Sequence, residues 1–240
     1  MSEKINVLGV DFDNVTMSEA VDAAYVELRE HRAAYVVTPN PEIVMHCYKD
    51  EAAAEAVRGA FLTIPDGIGV VIGSKILKTP LKQKVSGCDF ALALMERMNA
   101  EGKSVFLFGA APGVAEKAEE NLRRKFPELR FVGTNDGYFK DDAPIVEKIN
   151  AAAPDLLLVC LGAPKQEKWM YGNASKLNVG LMIGAGGSMD VYAGTVKRAP
   201  ELWCRLNLEW LYRLLKQPQR IGRMMVLPEF LIKVCLKRGK

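Results

Sequence analysis

The sequence predicts an α/β fold in which a mostly parallel β-sheet carries helices on both faces, followed by a helical C-terminal appendage. Three observations support this prediction. Over the first 195 residues, short apolar runs alternate with longer amphipathic stretches, and such alternation is typical of β-α-β units. Several of the runs are apolar almost throughout, as expected of strands buried on both faces. Beyond residue 195 the alternation stops, and prolines divide the chain into short helices.

The elements follow from these patterns in chain order. The predicted strands are INVLGV (5–10), AAYVVT (33–38), AFLTI (60–64), KSVFLFG (103–109), LRFVGT (129–134), DLLLVCLG (155–162) and VGLMIGAG (179–186). Amphipathic stretches between them predict helices over Met17–Glu30, Asp89–Asn99, Ala115–Phe126, Ala143–Ala152 and Lys165–Leu177. Two helix starts carry the pattern of a capping box, Thr16-x-x-Glu19 and Ser86-x-x-Asp89.

Charge divides the chain at the same point as the pattern. Residues 196–240, called the C-terminal segment below, hold eleven lysines and arginines but three acids, a net of +8. Because the whole chain carries +3, the first 195 residues carry −5. Length allows one large α/β domain with an appendage. We therefore predict a core over residues 1–195 and a basic amphipathic appendage over residues 196–240.

The C-terminal segment also repeats leucine, tryptophan and methionine at helical spacing. That leaves too much apolar surface for a simply solvated basic face. The segment either folds back on the core or lies in a membrane interface, with its cations on anionic headgroups. Nucleic acid is the other anionic partner, but no recognised binding motif accompanies the charge, so we expect none.

Composition excludes several classes of protein. The five cysteines are scattered and form no C-x-x-C pair, which argues for a reducing compartment and against a disulfide framework or zinc site. Two histidines leave little for an imidazole metal site or a His-based triad. The N-terminus is too polar for a signal peptide, and no stretch approaches the roughly 18 apolar residues of a spanning helix. A cytoplasmic location is expected.

Ligands of such sheets gather at the carboxyl ends of the strands. After the second predicted strand, Pro39 and Pro41 stiffen the backbone around Thr38 and Asn40. After the third comes Pro-Asp-Gly, in which Asp66 is either an ordinary turn residue or a general base. Gln166 begins the helix after DLLLVCLG and either binds a hydroxyl or is simply solvated. If the strands are neighbours, Thr38, Asn40 and Asp66 should converge on one cleft.

Glycine-rich loops follow other strands. The loop from Gly109 to Gly113 opens a helix and can present backbone N–H groups to a phosphate. It matches neither G-x-x-x-x-G-K-[ST] nor G-x-G-x-x-G, so a tight strand–helix turn explains it equally well. IGAGGSMD (183–190) is similarly rich in glycine without a dinucleotide fingerprint. As contacts for a nucleotide we select Gly109, Gly113, Gly162, Gly186 and Gly187.

Asp11-Phe12-Asp13 follows the first predicted strand. This D-x-D is found both in haloacid-dehalogenase phosphatases and in metal-binding glycosyltransferases. A phosphatase also needs a suitably placed lysine and a later acidic pair, for which NDGYFKDD is a poor substitute. A turn followed by the Thr16 helix cap explains the stretch without any chemistry.

Together these stretches resemble one family. The chain is similar over essentially its whole length to the WecG/TagA/CpsF family of bacterial glycosyltransferases, through motifs too long and unusual to recur by chance. These motifs are, in order, TPNPEIV, IPDGIGVV, FLFGAAPGVAEKA, GYF, LGAPKQEKW, GAGGSMDVYAGTVKRAP and EWLYRLLKQPQRIGR. The resemblance implies a Rossmann-like core and a C-terminal appendage that docks on the inner leaflet of the cell membrane.

The resemblance also implies an activity, closest to that of the members acting in wall teichoic acid synthesis. N-acetylmannosamine would pass from UDP-N-acetylmannosamine to undecaprenyl-diphosphate-linked N-acetylglucosamine, with inversion, to form the β-1,4 disaccharide of the linkage unit. Asp66 would be the base, and Thr38, Asn40 and Gln166 would line the pocket. Appendage arginines would complete the site, at the positions Arg213, Arg220 and Arg223.

One position departs from the family pattern. Where the family has an arginine after Pro-Asp-Gly, this chain has Lys84, which keeps the charge but loses the planar bidentate fork. Arginine and lysine can neutralise a departing UDP without a metal. Because histidine is scarce and the D-x-D is doubtful, we expect catalysis without metal or other cofactor.

Three alternatives stay open at this point. The donor could be another UDP-sugar, such as glucose or N-acetylmannosaminuronic acid, in capsule or exopolysaccharide synthesis. The protein could be a membrane-associated nucleotide-binding module without catalysis. The third alternative is a phosphatase at Asp11 and Asp13. Self-association into a homo-oligomer is compatible with the sequence but not set by it.

Overall fold

The computed structural model describes residues 2–216, 218 and 221–238, without the side chains of Arg213, Arg223 and Met224. The strands it contains are β1 (Lys4–Val7), β2 (Val10–Asp13), β3 (Ala34–Val37), β4 (Leu62–Thr63), β5 (Ser104–Gly109), β6 (Arg130–Asn135), β7 (Leu156–Cys160) and β8 (Leu181–Gly184). Six of them form one sheet in the order β4-β3-β8-β7-β5-β6, with every neighbouring pair parallel. The predicted fold class is confirmed.

Helices fill the connections between the strands. They are α1 (Met17–Glu30), α2 (Pro41–Lys49), α3 (Glu51–Arg58), α4 (Ile68–Ile76), α5 (Gly87–Asn99), α6 (Val114–Lys125), α7 (Ala143–Ala152), α8 (Lys165–Asn173), α9 (Ser188–Tyr192), α10 (Glu201–Arg205), α11 (Glu209–Lys216), α12 (Ile221–Met224) and α13 (Val226–Arg238). Helices α1 and α7 have the predicted bounds. Helix α8 ends before its predicted end, and a 3-10 turn over Ala174–Lys176 follows it.

The two predicted capping boxes have different outcomes. At the start of α1, the Thr16 hydroxyl accepts a hydrogen bond from the Glu19 N–H, and the Glu19 carboxylate accepts one from the Thr16 N–H. This box is confirmed. At the start of α5, Ser86 makes no side-chain cap, so the second box is wrong. Asp89 instead pairs with Arg198 at 2.6 Å, because the C-terminal segment passes beside the first turn of α5.

Two apolar layers cover the sheet. One face packs against α1, α5, α6 and α9. The other packs against α2, α4, α7, α8 and α13, together with the hairpin of β1 and β2. Helix α6 leaves β5 on the first face, whereas α8 leaves β7 on the second. Because β5 and β7 are neighbours, the crevice between their carboxyl ends is a topological switch point.

The first predicted strand, INVLGV, is wrong. Its residues form two antiparallel strands, β1 and β2, paired through a two-residue turn at Leu8 and Gly9 outside the main sheet. Both turn residues have positive φ, 51° and 93°, which is the geometry that tight hairpins favour. The D-x-D residues therefore lie in β2. Asp13 is buried and accepts hydrogen bonds from Lys4 Nζ at 2.7 Å and the Thr63 N–H at 2.8 Å, a structural role.

Helix α13, which lies in the C-terminal segment, packs on the core. It packs between α2 and α4, where Phe230 and Val234 are fully buried. A Cβ on Gly73 of α4 would lie 2.9 Å from the Phe230 ring, so the glycine permits this close packing. The Lys49–Glu229 ion pair at 3.0 Å adds an exposed contact.

This packing makes α13 part of the core's stability. We expect Phe230→Ala to lower the free energy of unfolding by about 3–5 kcal/mol, because it leaves a cavity in a fully buried cluster. Ile232→Ala, on the exposed side of the same helix, should change it by less than about 0.5 kcal/mol. Urea unfolding of both variants measures the difference. Equal small losses would show that α13 is not packed on the core in solution.

Candidate active site

The carboxyl ends of β4, β3 and β8 meet at one edge of the sheet. The Asp66 N–H donates to the Pro39 carbonyl at 3.1 Å, which holds the Pro-Asp-Gly loop beside the Thr-Pro-Asn loop. The Thr38 hydroxyl donates to the Gly184 carbonyl at 3.0 Å, which joins that loop to the end of β8. Three predicted strand ends are therefore neighbours in space.

Thr38 and Asn40, on either side of Pro39, are held in place by different local contacts. Pro41 is the first residue of α2, where its fixed φ suits the helix and its missing N–H costs nothing. Asn40 caps this helix, because its Oδ1 accepts from the Ile43 N–H at 3.1 Å. Thr38 is buried against the start of α5. Pro39 separates these two anchored residues.

Asp66 is half-buried just before α4. Gly67 follows it with φ of 85°, a conformation in which a side chain would be strained. The glycine also lies against Asn40, since a Cβ built on it would be 3.7 Å from the Asn40 Cβ. This turn places the backbone of Asp66 at the sheet edge, beside the loop that holds Asn40.

Gln166 extends the cluster to β7. It is 2% exposed, and its Oε1 accepts from the Gly186 N–H at 3.0 Å. Its Nε2 donates to Glu167 Oε1 at 2.8 Å. The first turn of α8 is thereby tied to the loop after β8.

Glu167 is fully buried at the first turn of α8. Burial is the main cause that raises the pKa of its carboxyl to about 7, and the negative charge of Glu42 adds to the shift. The hydrogen bond from Gln166 acts in the opposite direction. At neutral pH the neutral and ionised forms of this acid are therefore both populated.

A cavity of about 740 Å³ lies at the switch point between β5 and β7. It is lined on one side by the loop after β5, through Ala110 and Ala111, and on the other by Leu161 and Lys165. Asp190 of α9 and Tyr138, after β6, complete the walls. The volume suits a small-molecule ligand.

The five selected glycines surround these strand ends. Gly109 has φ of 122°, and a Cβ there would lie 2.3 Å from the Cys160 carbonyl oxygen, so close strand approach already requires a glycine. A Cβ on any of the other four would meet open space, so close packing does not require a glycine there. These four are Gly113, Gly162, Gly186 and Gly187.

The cationic residues of the predicted site are described in part. Lys84 is half-buried, and the next residue, Val85, donates its N–H to the Pro65 carbonyl at 2.9 Å. This contact sets Lys84 close to the Asp66 loop. Arg220 and the side chains of Arg213 and Arg223 lie outside the described residues.

Sequence reasoning missed three residues of these sites: Glu167, Lys165 and Asp190. Glu167 and Lys165 lie in the APKQE stretch and Asp190 in GGSMD, both within motifs that the sequence had already marked. Nothing local distinguishes them from solvated charges. Glu167 is distinguished only by its burial, and Lys165 and Asp190 only because they line the cavity.

In residues 2–216, 218 and 221–238, no group of three His, Cys, Asp or Glu side chains could hold a metal ion. None of the helices within that part of the chain is long and apolar enough to cross a membrane.

A doubly wound sheet with a cavity at its switch point and polar strand ends beside it belongs to the class of α/β proteins that bind nucleotide-type ligands there. The comparison with known families narrows this class to one family. The chain belongs to the WecG/TagA/CpsF family of glycosyl transferases, whose model matches residues 5–240. The resemblance seen in the sequence is confirmed, and the protein is a glycosyltransferase.

Curated relatives cover nearly the whole chain. One is the N-acetylglucosaminyldiphosphoundecaprenol N-acetyl-beta-D-mannosaminyltransferase of Bacillus spizizenii strain W23, 35% identical over 225 residues, or 94% of this chain and 87% of the relative. A protein of the same name from Staphylococcus aureus strain MW2 is 34% identical over 239 residues, or 99% of this chain and 94% of the relative.

Proposed function

We propose that this protein transfers N-acetylmannosamine from UDP-N-acetylmannosamine to undecaprenyl-diphosphate-linked N-acetylglucosamine. The product is the β-1,4 disaccharide of the wall teichoic acid linkage unit. The names and full-length coverage of the curated relatives support this choice of sugar and acceptor. The observation that carries it is the joining of four strand ends by the hydrogen bonds of Asp66, Thr38 and Gln166.

Asp66 acts as the general base in this mechanism. Its carboxylate takes the proton of the acceptor 4-hydroxyl as that oxygen attacks the anomeric carbon of the donor. Attack comes from the face opposite UDP, which leaves with the electron pair of the bond it made to the anomeric carbon, so the configuration inverts. Thr38, Asn40 and Gln166 orient the two sugars by hydrogen bonds, which keeps the reacting atoms in line.

The donor nucleotide occupies the cavity at the switch point. Gly113 and Gly162, in the loops before α6 and α8, supply backbone N–H groups for phosphate, as glycine loops at helix starts do. Gly187 adds a contact from the loop after β8, and Gly186, whose N–H donates to Gln166, ties that loop to α8. Lys84 and three arginines of the C-terminal segment, Arg213, Arg220 and Arg223, neutralise the charge of the departing UDP, so no metal is required.

The C-terminal segment brings this site to a lipid-bound acceptor. Exposed apolar side chains support this role, and they lie on a segment of net charge +8. They are Leu202, Leu206, Leu215, Ile221 and Met225. We propose that these side chains enter the interface of the inner leaflet while the cations contact anionic headgroups.

Turnover of UDP-sugars with a lipid-linked N-acetylglucosamine acceptor tests the proposal. We expect UDP release with UDP-N-acetylmannosamine, and the same rate in excess EDTA. UDP-glucose and UDP-N-acetylmannosaminuronic acid, at equal concentration, should give at least about tenfold less. Faster UDP release with either of these two sugars would show that it, and not N-acetylmannosamine, is the sugar transferred. UDP binding without turnover of any donor would favour a non-catalytic module, and inhibition by EDTA would contradict metal-independent transfer.

A further inference from the structure

Glu167 is a buried acid next to the proposed site that the mechanism above does not use. Its Oε1 accepts the hydrogen bond from Gln166 Nε2 at 2.8 Å. Its Oε2 is buried without a hydrogen-bond partner among the described residues. A buried polar atom left in this way costs stability, so its retention needs a reason.

The charged groups around Glu167 do not neutralise it. Glu42 on α2 raises its pKa, and Cys47 on the same helix has a thiol pKa raised by burial to about 12, so it stays neutral. The neighbouring cations of α8 point elsewhere. Lys168 pairs with Asp50 at 2.5 Å, and Lys165 donates to the Gly137 carbonyl at 3.1 Å. A buried anion without a cation is unfavourable, so this site favours the neutral form of Glu167 more than an exposed position would.

Gln166 needs a partner on each side to have one orientation. An amide side chain can turn over and exchange its oxygen and nitrogen. The Gly186 N–H holds the amide oxygen of Gln166 in place, and Glu167 Oε1 holds the amide nitrogen in place. With both ends held, one N–H of the Gln166 amide is left to donate to a substrate hydroxyl.

We infer that Glu167, as a neutral carboxylic acid, is a positioning residue that fixes the orientation of the Gln166 amide for the sugar substrate. The inference rests on the proposed function, in which Gln166 contacts substrate. An ionised carboxylate accepts more strongly from Gln166, but without a cation we expect it to draw water into this closed site and to loosen the first turn of α8. Transfer should therefore fall as Glu167 loses its proton.

Two substitutions separate geometry from charge. Glu167→Gln keeps an oxygen that accepts from Gln166 and cannot ionise, so kcat/KM at pH 6 should stay within about twofold of wild type. Glu167→Leu keeps the bulk but removes the acceptor, and kcat should fall about tenfold, the effect of one lost hydrogen bond. In a Gln166→Ala background, Glu167→Leu should cause no further loss, because it acts through Gln166.

The pH profile supplies a readout that a merely structural residue would not move. Dividing the rate of Glu167→Gln by that of wild type at each pH cancels the titrations that the two proteins share. With a pKa of about 7, the neutral form of wild type falls about tenfold between pH 6 and pH 8. The ratio should rise by up to the same factor. Glu51→Gln, on the exposed surface of α3, should give a ratio that does not change with pH.

Distinct results overturn the inference and the proposed function. A flat ratio for Glu167→Gln, or an equal effect of Glu167→Leu with and without Gln166, would show that Glu167 does not position the amide. If Glu167→Leu does not fold, as judged by its thermal transition, the Glu167→Gln ratio decides alone. Full activity of Gln166→Ala would instead contradict the role of Gln166 in the proposed site.

Discussion

Asp66→Asn is expected to lower kcat about a thousandfold while leaving the affinity for UDP unchanged. Asparagine has the same shape as aspartate but cannot accept the acceptor proton, and general-base catalysis contributes about 10²–10⁴-fold. The backbone bond from residue 66 to Pro39 does not involve the side chain. The loop should therefore keep its place, so the loss reports chemistry rather than folding.

Asp11→Asn is the matched control for this prediction. Asp11 is exposed in β2 and accepts a hydrogen bond from Asn6, and the proposed mechanism gives it no role. Sugar transfer should be unchanged in this variant. If the protein were a phosphatase, Asp11→Asn would instead abolish a Mg²⁺-dependent release of phosphate.

The measurement is single-turnover transfer together with UDP binding by calorimetry. Asp66→Asn with more than about a tenth of wild-type kcat would exclude Asp66 as the base. A protein that bound UDP equally well in both forms, and showed no rate to lose in either, would be a binding module.

The triple variant Leu202→Gln, Leu206→Gln, Leu215→Gln is expected to weaken binding to vesicles with anionic lipid at least about a hundredfold. These side chains are 65%, 59% and 64% exposed. Burying a leucine in an apolar phase contributes about 2 kcal/mol. Loss of three such leucines removes about 6 kcal/mol of binding free energy, whereas the cations, about 1 kcal/mol each at such a surface, contribute equally in both proteins.

Replacement of exposed side chains is a sharper test than truncation. Removing residues 196–240 would also take Phe230 and Val234 out of the core, so loss of activity could then reflect unfolding. Val26→Gln, at an exposed apolar position of α1, is the matched control and should bind vesicles like wild type.

Vesicle sedimentation and transfer assays give the readout. The triple variant should lose transfer to the vesicle-bound acceptor but keep it with a short, water-soluble acceptor. Vesicle binding equal to that of wild type would contradict membrane docking by these residues.

Most of the fold could be predicted from local sequence patterns. Where such a prediction was wrong, the cause is physical. Helix α1 was predicted to the residue, because its capping box joins Thr16 to Glu19 within one turn. INVLGV failed because one run of apolar residues looks the same whether it stays extended or turns back. The turn at Leu8 and Gly9 is selected by packing of the hairpin on the core.

Local pattern also indicated most of the residues proposed for the candidate active site, but not all of them. Proline and glycine mark the loops that carry Thr38, Asn40 and Asp66, so those residues could be chosen from the sequence. Glu167 could not, since the stretch KQEKW reads as a solvated helix start. What distinguishes it is complete burial beside Gln166, which depends on helices and strands far away along the chain.

By itself the sequence determined the alternation of strands and helices, the family and the loops that hold the candidate residues, because periodicity, caps and turn residues act over a few positions. Only the tertiary structure decided which strand ends are neighbours, that α13 belongs to the core, and that Glu167 is buried without a cation. Those properties come from contacts between residues far apart in the chain, such as Lys49 with Glu229, 180 positions apart, and no local pattern records them.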